Sequence, residues 1–134
     1  SLDAWCAEAR RDGWLSQWFD YGCREVAPLL ARLHGLGLVH RDCNVAHLFV
    51  VDPRRAGPPH VLDVERVFRP RFRRRRWRVK DLASLLASVP VVVPSRVQLR
   101  FLRRYLGRRL RGERALLRAI EHKVARIRSH RPRY

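Results

Sequence analysis

Acidic residues, methionine and long apolar runs are scarce in this chain of 134 residues. The sequence has 12 Asp and Glu against 30 Lys and Arg, which leaves a formal net charge of +18. Such an excess attracts polyanions, so nucleic acid, anionic lipid headgroups and phosphorylated sugars are candidate partners. A hydrophobic fraction of 46% excludes a disordered basic tail. No apolar run approaches the roughly 20 residues that a membrane-spanning helix needs.

Methionine is absent, and cysteine occurs only three times, at Cys6, Cys23 and Cys43. The odd number and the lack of metal-ligand spacing favour a reduced, cytosolic protein over a disulfide framework. The chain also has no Met to start translation and no signal-peptide pattern. We therefore expect a fragment of a longer protein.

The first third of the chain has the apolar periodicity of a helix. Its stripe consists of Leu15, Trp18, Phe19, Val26, Leu29, Leu30 and Leu33. Pro28 is expected to kink or split this helix near Val26, and the segment 34–37 is expected to end it. Two short apolar segments, 48–51 and 60–64, flank a turn-rich stretch and predict a β-hairpin.

The second half is expected to be a basic loop over 66–80 followed by three helices. The helices are predicted over 79–88, over 95–107 with Ser95 as N-cap and Gly107 as stop, and over 112–130. The sequence thus predicts an α+β fold, mostly helical with a small β-hairpin, whose functional residues lie on loops.

The segment 39–51, VHRDCNVAHLFVV, carries the clearest functional signal. In protein kinases a His-Arg-Asp loop supplies the base that accepts the proton of the attacking hydroxyl. A residue five positions later, and an Asp after a hairpin, bind the metal that carries the nucleotide phosphates. Asp42, His47 and Asp63 stand in that order and at compatible spacing.

Three segments together resemble a known family. LARLHGLGLVHRDCNVAHLFV, VLDVERV and RRRRWRVKDLASLL look like the lipopolysaccharide core kinases of the Kdo/WaaP type, which have a protein-kinase-like fold. His47 in place of the usual Asn, and the basic stretch that ends in 77–82, are similar to the heptose-kinase branch. The resemblance extends from about Leu29 to the C-terminus.

The resemblance implies that residues 1–134 form a kinase-like C-terminal lobe. No Gly-rich loop, strand Lys or helix Glu of a nucleotide-clamping N-lobe is recognisable before Asp42. The implied function of the family is transfer of the γ-phosphate of ATP, with Mg²⁺, to a sugar hydroxyl of the lipopolysaccharide inner core. The acceptor would be heptose, with Kdo as the alternative, and this chain alone is expected to be inactive without an N-lobe.

The resemblance also implies roles for individual residues. Asp42 is expected to be the catalytic base, with Arg41 beside it. Asp63, His47 and Arg66 are expected to contact the nucleotide phosphates, the first two through Mg²⁺. A hydrogen-bonding role for His47 is equally compatible, since imidazole is a poor ligand for Mg²⁺.

Support of the catalytic loop is implied for His40, Lys80 and Asp81. Cys43 is interpreted as a small filler, and His34 is given no role because its spacing indicates no ligand.

The arginine run is interpreted as contact with the anionic inner core and with the cytoplasmic face of the inner membrane, where the protein would be peripheral. The run consists of Arg73, Arg74, Arg75 and Arg76, followed by Trp77. Binding of nucleic acid, with Phe72 and Trp77 stacked on bases, is the alternative from another class. It is disfavoured because a plain polyanion binder does not need three Asp residues in kinase order.

Three blander interpretations stay open. Asp42 could pair with Arg41, Asp63 could pair with Arg66, and the whole chain could be a degenerate kinase lobe that binds only lipid or a partner.

Overall fold

The N-terminal part of the chain is helical, as predicted. The computed structural model describes residues 1–55, 57–107 and 112–130. Helix α1 spans Leu2–Asp12, α2 spans Leu15–Tyr21 and α3 spans Ala27–Gly35, with a π-helical turn at Gly22–Val26 between the last two. Pro28 lies in the first turn of α3, directly after the π turn. The backbone stays helical from α2 through the π turn into α3, so the predicted split near Val26 is wrong, and the irregularity there is the π turn itself.

The predicted hairpin is confirmed, with strands of two residues each. Strand β1 (Leu48–Phe49) pairs antiparallel with β2 (His60–Val61), in the register Leu48 with Val61 and Phe49 with His60. One isolated bridge, between Val39 and Phe68, ties the segment before the His-Arg-Asp triplet to the segment after the hairpin. These few pairings bring residues 40–42 beside residue 63.

Helix α4 spans Arg74–Ser88, so the predicted helix over 79–88 is confirmed, and the prediction of a loop is wrong for 74–78. Arg has a high helix propensity, and its charged head stays in water while a neighbouring face packs. The arginines of the first turn are exposed, whereas Val79, Leu82, Leu85 and Leu86 further along the helix are buried. The arginines of α4 all precede its first buried apolar residue, Val79, so the helix begins in the basic run and continues into the core.

Helix α5 spans Ser95–Leu106 and ends at Gly107, whose φ of 65° confirms the predicted stop. The prediction of Ser95 as N-cap is wrong, because Pro94 occupies that position and its carbonyl accepts the N–H groups of Val97 and Gln98. Helix α6 spans Arg114–Ser129 and packs along α4.

The core is formed by all six helices and the hairpin. Its largest fully buried side chains include Tyr21, Leu30, Leu48, Leu82 and Ile120. Of the helices in the described ranges, none combines the length and the apolar character required to cross a bilayer. The mostly helical α+β architecture with one small sheet agrees with the prediction.

Candidate active site

Asp81, in α4, fixes the backbone of the predicted catalytic loop from the buried side of that loop. Its carboxylate is fully buried and accepts hydrogen bonds from the backbone N–H groups of His40 and Arg41, at 2.8 and 3.1 Å. Hydrogen bonds to an ionised acceptor are the stronger ones in proteins. They hold Arg41 at φ 74°, a left-handed conformation that a residue with a side chain seldom adopts unless its surroundings impose it.

A third group reaches the same carboxylate from α3. His34 Nε2 lies 2.9 Å from Asp81 Oδ2, and His34 Nδ1 lies 2.6 Å from the hydroxyl of Tyr105 in α5. Burial raises the pKa of Tyr105 to about 12, so its hydroxyl stays protonated and donates. His34 was given no role from the sequence. Its partner Asp81 stands 47 positions away, and neither spacing nor periodicity signals such a contact.

The side chain of His40 joins the loop to the hairpin. Its ring is 1% exposed, and Nε2 donates to the carbonyl of Leu62 at 2.9 Å. Nδ1 has no hydrogen-bond partner among the described residues, so the proton resides on Nε2. The N–H of Leu62 in turn donates to the carbonyl of His47 at 2.7 Å. The next residue, Asp63, is thereby held beside the loop.

His47 lies between the two predicted functional carboxylates. Its Nε2 is 3.2 Å from Asp63 Oδ2, while Nδ1 is 2.9 Å from the carbonyl of Asp42 and 3.8 Å from Asp42 Oδ2. Asn44 Nδ2 also approaches Nδ1, at 3.2 Å. Both ring nitrogens of His47 therefore face oxygen atoms of the two aspartates, and the ring bridges Asp42 and Asp63.

Asp42 and Asp63 are open to solvent, with side chains 46% and 42% exposed. Asp63 has φ 56°, so two of the three left-handed non-glycine residues in the described chain belong to this site. No group of three His, Cys, Asp or Glu side chains in the described residues converges as a metal cage. Mg²⁺ does not need one, since it is commonly held by one or two carboxylates with waters and phosphates. The carboxylate donors fit that ion.

Comparison with known proteins agrees with this geometry. Residues 1–105 match the sequence profile of the lipopolysaccharide kinase (Kdo/WaaP) family. The chain belongs to this family. It is 31% identical over 118 residues to the lipopolysaccharide core heptose(I) kinase WaaP of Pseudomonas aeruginosa, an alignment that covers 81% of this chain and 44% of that protein. The solved structure of WaaP in complex with acyl carrier protein matches with a TM-score of 0.75 and 29% identity, over 94% of this chain and 56% of that one.

The Kdo/WaaP relationship confirms the protein-kinase-like fold that was predicted. The chain spans about half of the length of the two relatives that it matches.

The two simple ion pairs considered from the sequence are not formed among the described residues. The guanidinium of Arg41 lies 5.7 Å from the centroid of the Phe68 ring, and the recorded ion-pair partner of Asp63 is His47. Arg66 is exposed at the end of a short 3₁₀ turn, Val64–Arg66. In this Kdo/WaaP chain the cations beside the loop remain available to an anion.

The arginine run at the start of α4 is open to solvent, whereas Trp77 and Lys80 contact other side chains. Arg73 to Arg76 are exposed, and Phe72 is 80% exposed. Trp77 instead packs edge-on against Phe68, with ring centroids 4.9 Å apart. Lys80, predicted to support the loop, lies 5.1 Å above the Trp77 ring, so its recorded contact is within α4.

Cys43 is fully packed beside Asp42. Its thiol is buried, and burial, then the nearby carboxylates of Asp81 and Asp42, raise the thiol pKa well above its ordinary value. A thiol that stays protonated is a poor nucleophile. The structure agrees with the interpretation of Cys43 as filler.

Proposed function

We propose that this chain supplies the catalytic loop and the metal-binding Asp of an ATP-dependent kinase. Its acceptor would be a sugar hydroxyl, of heptose or of Kdo, in the inner core of lipopolysaccharide. One observation carries the proposal: Asp42 and Asp63, both exposed, meet at His47 on a loop that Asp81 fixes from behind. Membership of the Kdo/WaaP family supports the acceptor class.

Asp42 is assigned as the general base. Its carboxylate accepts the proton of the sugar hydroxyl while that oxygen bonds to the γ-phosphorus of ATP, and the bond from this phosphorus to the β–γ bridging oxygen breaks to release ADP. Arg41 stands next to it without a carboxylate partner in the described residues, and we assign it to the phosphate oxygens. Arg66, at the end of the 3₁₀ turn that follows Asp63, is exposed and is assigned in the same way.

Asp63 is assigned as the ligand of Mg²⁺. The ion, when bound, neutralises charge on the phosphate oxygens. The 3.2 Å approach of His47 Nε2 to Asp63 Oδ2 supports a role in orienting that carboxylate, ahead of direct coordination by the ring.

The remainder of the ATP site is proposed to lie in a segment outside this sequence, since the chain spans 44% of its curated relative. We propose that the protein is peripheral on the cytoplasmic face of the inner membrane. The exposed side chain of Phe72, next to the arginine run, supports this localisation. Acyl carrier protein, present in the solved WaaP structure, is included as a candidate partner. The net charge of +18 keeps binding of nucleic acid as the second candidate function.

The first experiment is the intact mass of the native gene product, measured by mass spectrometry. We expect a mass well above 15.9 kDa. That full-length protein should then transfer labelled phosphate from ATP to purified lipopolysaccharide core in the presence of Mg²⁺, and chelation should stop transfer. Comparison of transfer to cores that end in heptose with transfer to cores that contain only Kdo identifies the acceptor sugar. A native mass near 15.9 kDa, or salt-sensitive binding of generic RNA without any transfer, would contradict the proposal.

A further inference from the structure

A groove between α4 and α6 collects basic side chains away from the catalytic carboxylates. Its basic lining includes Arg73, Arg76, Lys80, Lys123 and Arg126, and no acidic residue from the described part of the chain lines it. The groove encloses about 520 Å³, which falls in the size range of small-molecule sites.

The groove follows from the helical spacing of the two elements that form it. In α4 the lining positions 76 and 77 lie four and three residues before position 80. In α6 the lining positions 122 and 123 lie three and four residues after position 119, and position 126 follows them by four and three. Each set therefore occupies one face of its helix. Because α4 and α6 pack directly against each other, the two faces are held together without any ligand.

The positive charges in the groove are concentrated and partly desolvated. Lys80 and Lys123 are half-buried, whereas Arg73, Arg76 and Arg126 are exposed at the rim. Burial, and after it the charges of Arg126, Lys80 and Arg76, lower the pKa of the Lys123 ammonium. Like charges gathered in a concave wall repel one another, and a bound anion relieves that repulsion.

We propose that this groove binds a phosphate group, carried by a phosphorylated sugar or by a lipid headgroup, between Lys80 and Lys123. A lysine ammonium is a compact point charge that suits phosphate. The aromatic wall argues against a stacked nucleotide strand. The Trp77 ring contacts Phe68 in an edge-to-face geometry, and the ammonium of Lys80 lies 5.1 Å from the centroid of the Trp77 ring. These two contacts occupy positions that a stacked base would need.

The groove is connected to the catalytic loop by packed rings. Trp77 contacts Phe68, and Phe68 lies under the guanidinium of Arg41, the residue before the assigned base. A phosphate held in the groove would anchor an anionic acceptor on the wall that continues to this loop. That use of the groove rests on the proposed function, whereas binding itself does not.

The test is binding of inorganic pyrophosphate to the full chain at 150 mM NaCl, by titration calorimetry. The variant Lys80→Gln/Lys123→Gln keeps both side-chain stems and removes two charges. Arg103→Gln/Arg118→Gln removes two exposed charges from α5 and α6 that do not line the groove, so it is the matched control. We expect a single saturable site, weakened at least tenfold in the lysine variant and less than twofold in the arginine variant.

Sedimentation with vesicles of phosphatidylcholine and phosphatidic acid, 3:1, distinguishes the source of the phosphate. If pyrophosphate displaces the protein from vesicles and the lysine variant binds them weakly, the groove takes a headgroup. If neither added pyrophosphate nor the two lysine substitutions change vesicle binding, the groove takes a soluble phosphate. Equal losses in the two variants, or no saturable site, would overturn the proposal in favour of diffuse attraction of polyanions. The readout is binding alone, so either result leaves the kinase assay of the full-length protein independent.

Discussion

The two sides of the segment 40–42 differ in what they contact. On the rear side, the buried carboxylate of Asp81 accepts from two backbone N–H groups and lies 2.9 Å from His34. On the front side, the side chains of Asp42 and Asp63 are nearly half exposed and share one close neighbour, His47. Both sides use aspartate, but burial turns one into a structural anchor and exposure leaves the other two free for chemistry. Position in the fold, and not residue type, separates the roles.

Asp42→Asn should have the largest effect on the front side. Loss of a general base lowers the rate of transfer by about 10²- to 10⁴-fold. Because the side chain is exposed, stability should change by less than about 0.5 kcal/mol. The measurements are kcat of the full-length protein and its urea unfolding curve. Asp12→Asn is the matched control, since its side chain is 48% exposed in an ion pair with Arg11 outside the site. If Asp42→Asn transferred phosphate at the wild-type rate, the assignment of Asp42 as the general base would be wrong.

Asp81→Ala should have the opposite effect, a large loss of stability, because it removes the anchor on the rear side. It leaves two backbone N–H groups and the His34 ring without their acceptor in a buried place, and we expect a loss of about 3–5 kcal/mol of unfolding free energy. Chemical denaturation measures it.

The isosteric Asp81→Asn keeps one acceptor oxygen and should lose less, so it guards against a variant that does not fold. A loss below about 1 kcal/mol in the Ala variant would show that the carboxylate does not anchor the loop.

Alkaline pH should weaken the rear side next. Burial raises the pKa of Tyr105 to about 12, above its ordinary value near 10. Its contribution to stability is therefore fully present below pH 10, where the hydroxyl is protonated in both states, and is lost as pH rises towards 12 and the unfolded chain ionises first. We expect a decline of roughly 2 kcal/mol across this window from Tyr105. Tyr21, whose pKa is also raised by burial to about 12, adds a similar decline.

Denaturation series at pH 9 to 12 on wild type and Tyr105→Phe measure the share of Tyr105. The variant should show the smaller decline, and parallel curves would contradict the assignment.

Tyr105→Phe at neutral pH should have the smallest effect of the four. It removes one hydrogen bond to His34, worth about 1 kcal/mol. Tyr21→Phe is the matched control, because it removes a hydrogen bond of 2.9 Å to the carbonyl of Gly57, away from Asp81. Both variants should lose similar stability, but only Tyr105→Phe should lower kcat of the full-length protein while leaving its KM unchanged. Equal kcat values would confine Tyr105 to stability.

The front side was largely predictable from the sequence because its information is local. Asp42 and His47 lie five positions apart on one loop, and the hairpin that returns Asp63 to them is marked by turn residues on the intervening segment. The structure brings these three together as the motif predicted. The same holds for the stop at Gly107, where a single residue type decides the backbone conformation.

The rear side was predictable only in part because its contacts are distant in the sequence. The position of Asp81 in a motif identified its role, but nothing local connects it with His34 or Tyr105. The start of α4 was misplaced because an arginine run is compatible with loop and with helix, and tertiary packing of Val79 and Leu82 decides between them. The direction of Lys80 likewise depends on Trp77, whose packing on Phe68 is not local.

The anchoring of residues 40 and 41 by Asp81 also has a consequence for the order of folding. In the sequence, Asp81 is separated from His40 by 41 positions and from Arg41 by 40 positions. It is separated from His34 by 47 positions. Closing such long stretches of chain costs entropy that must be met before the contacts form. We therefore expect residues 40–42 to acquire their conformation late, after α3, α4 and α5 have docked. In a nascent or partly unfolded chain, Asp42 would be present but not yet placed beside His47 and Asp63.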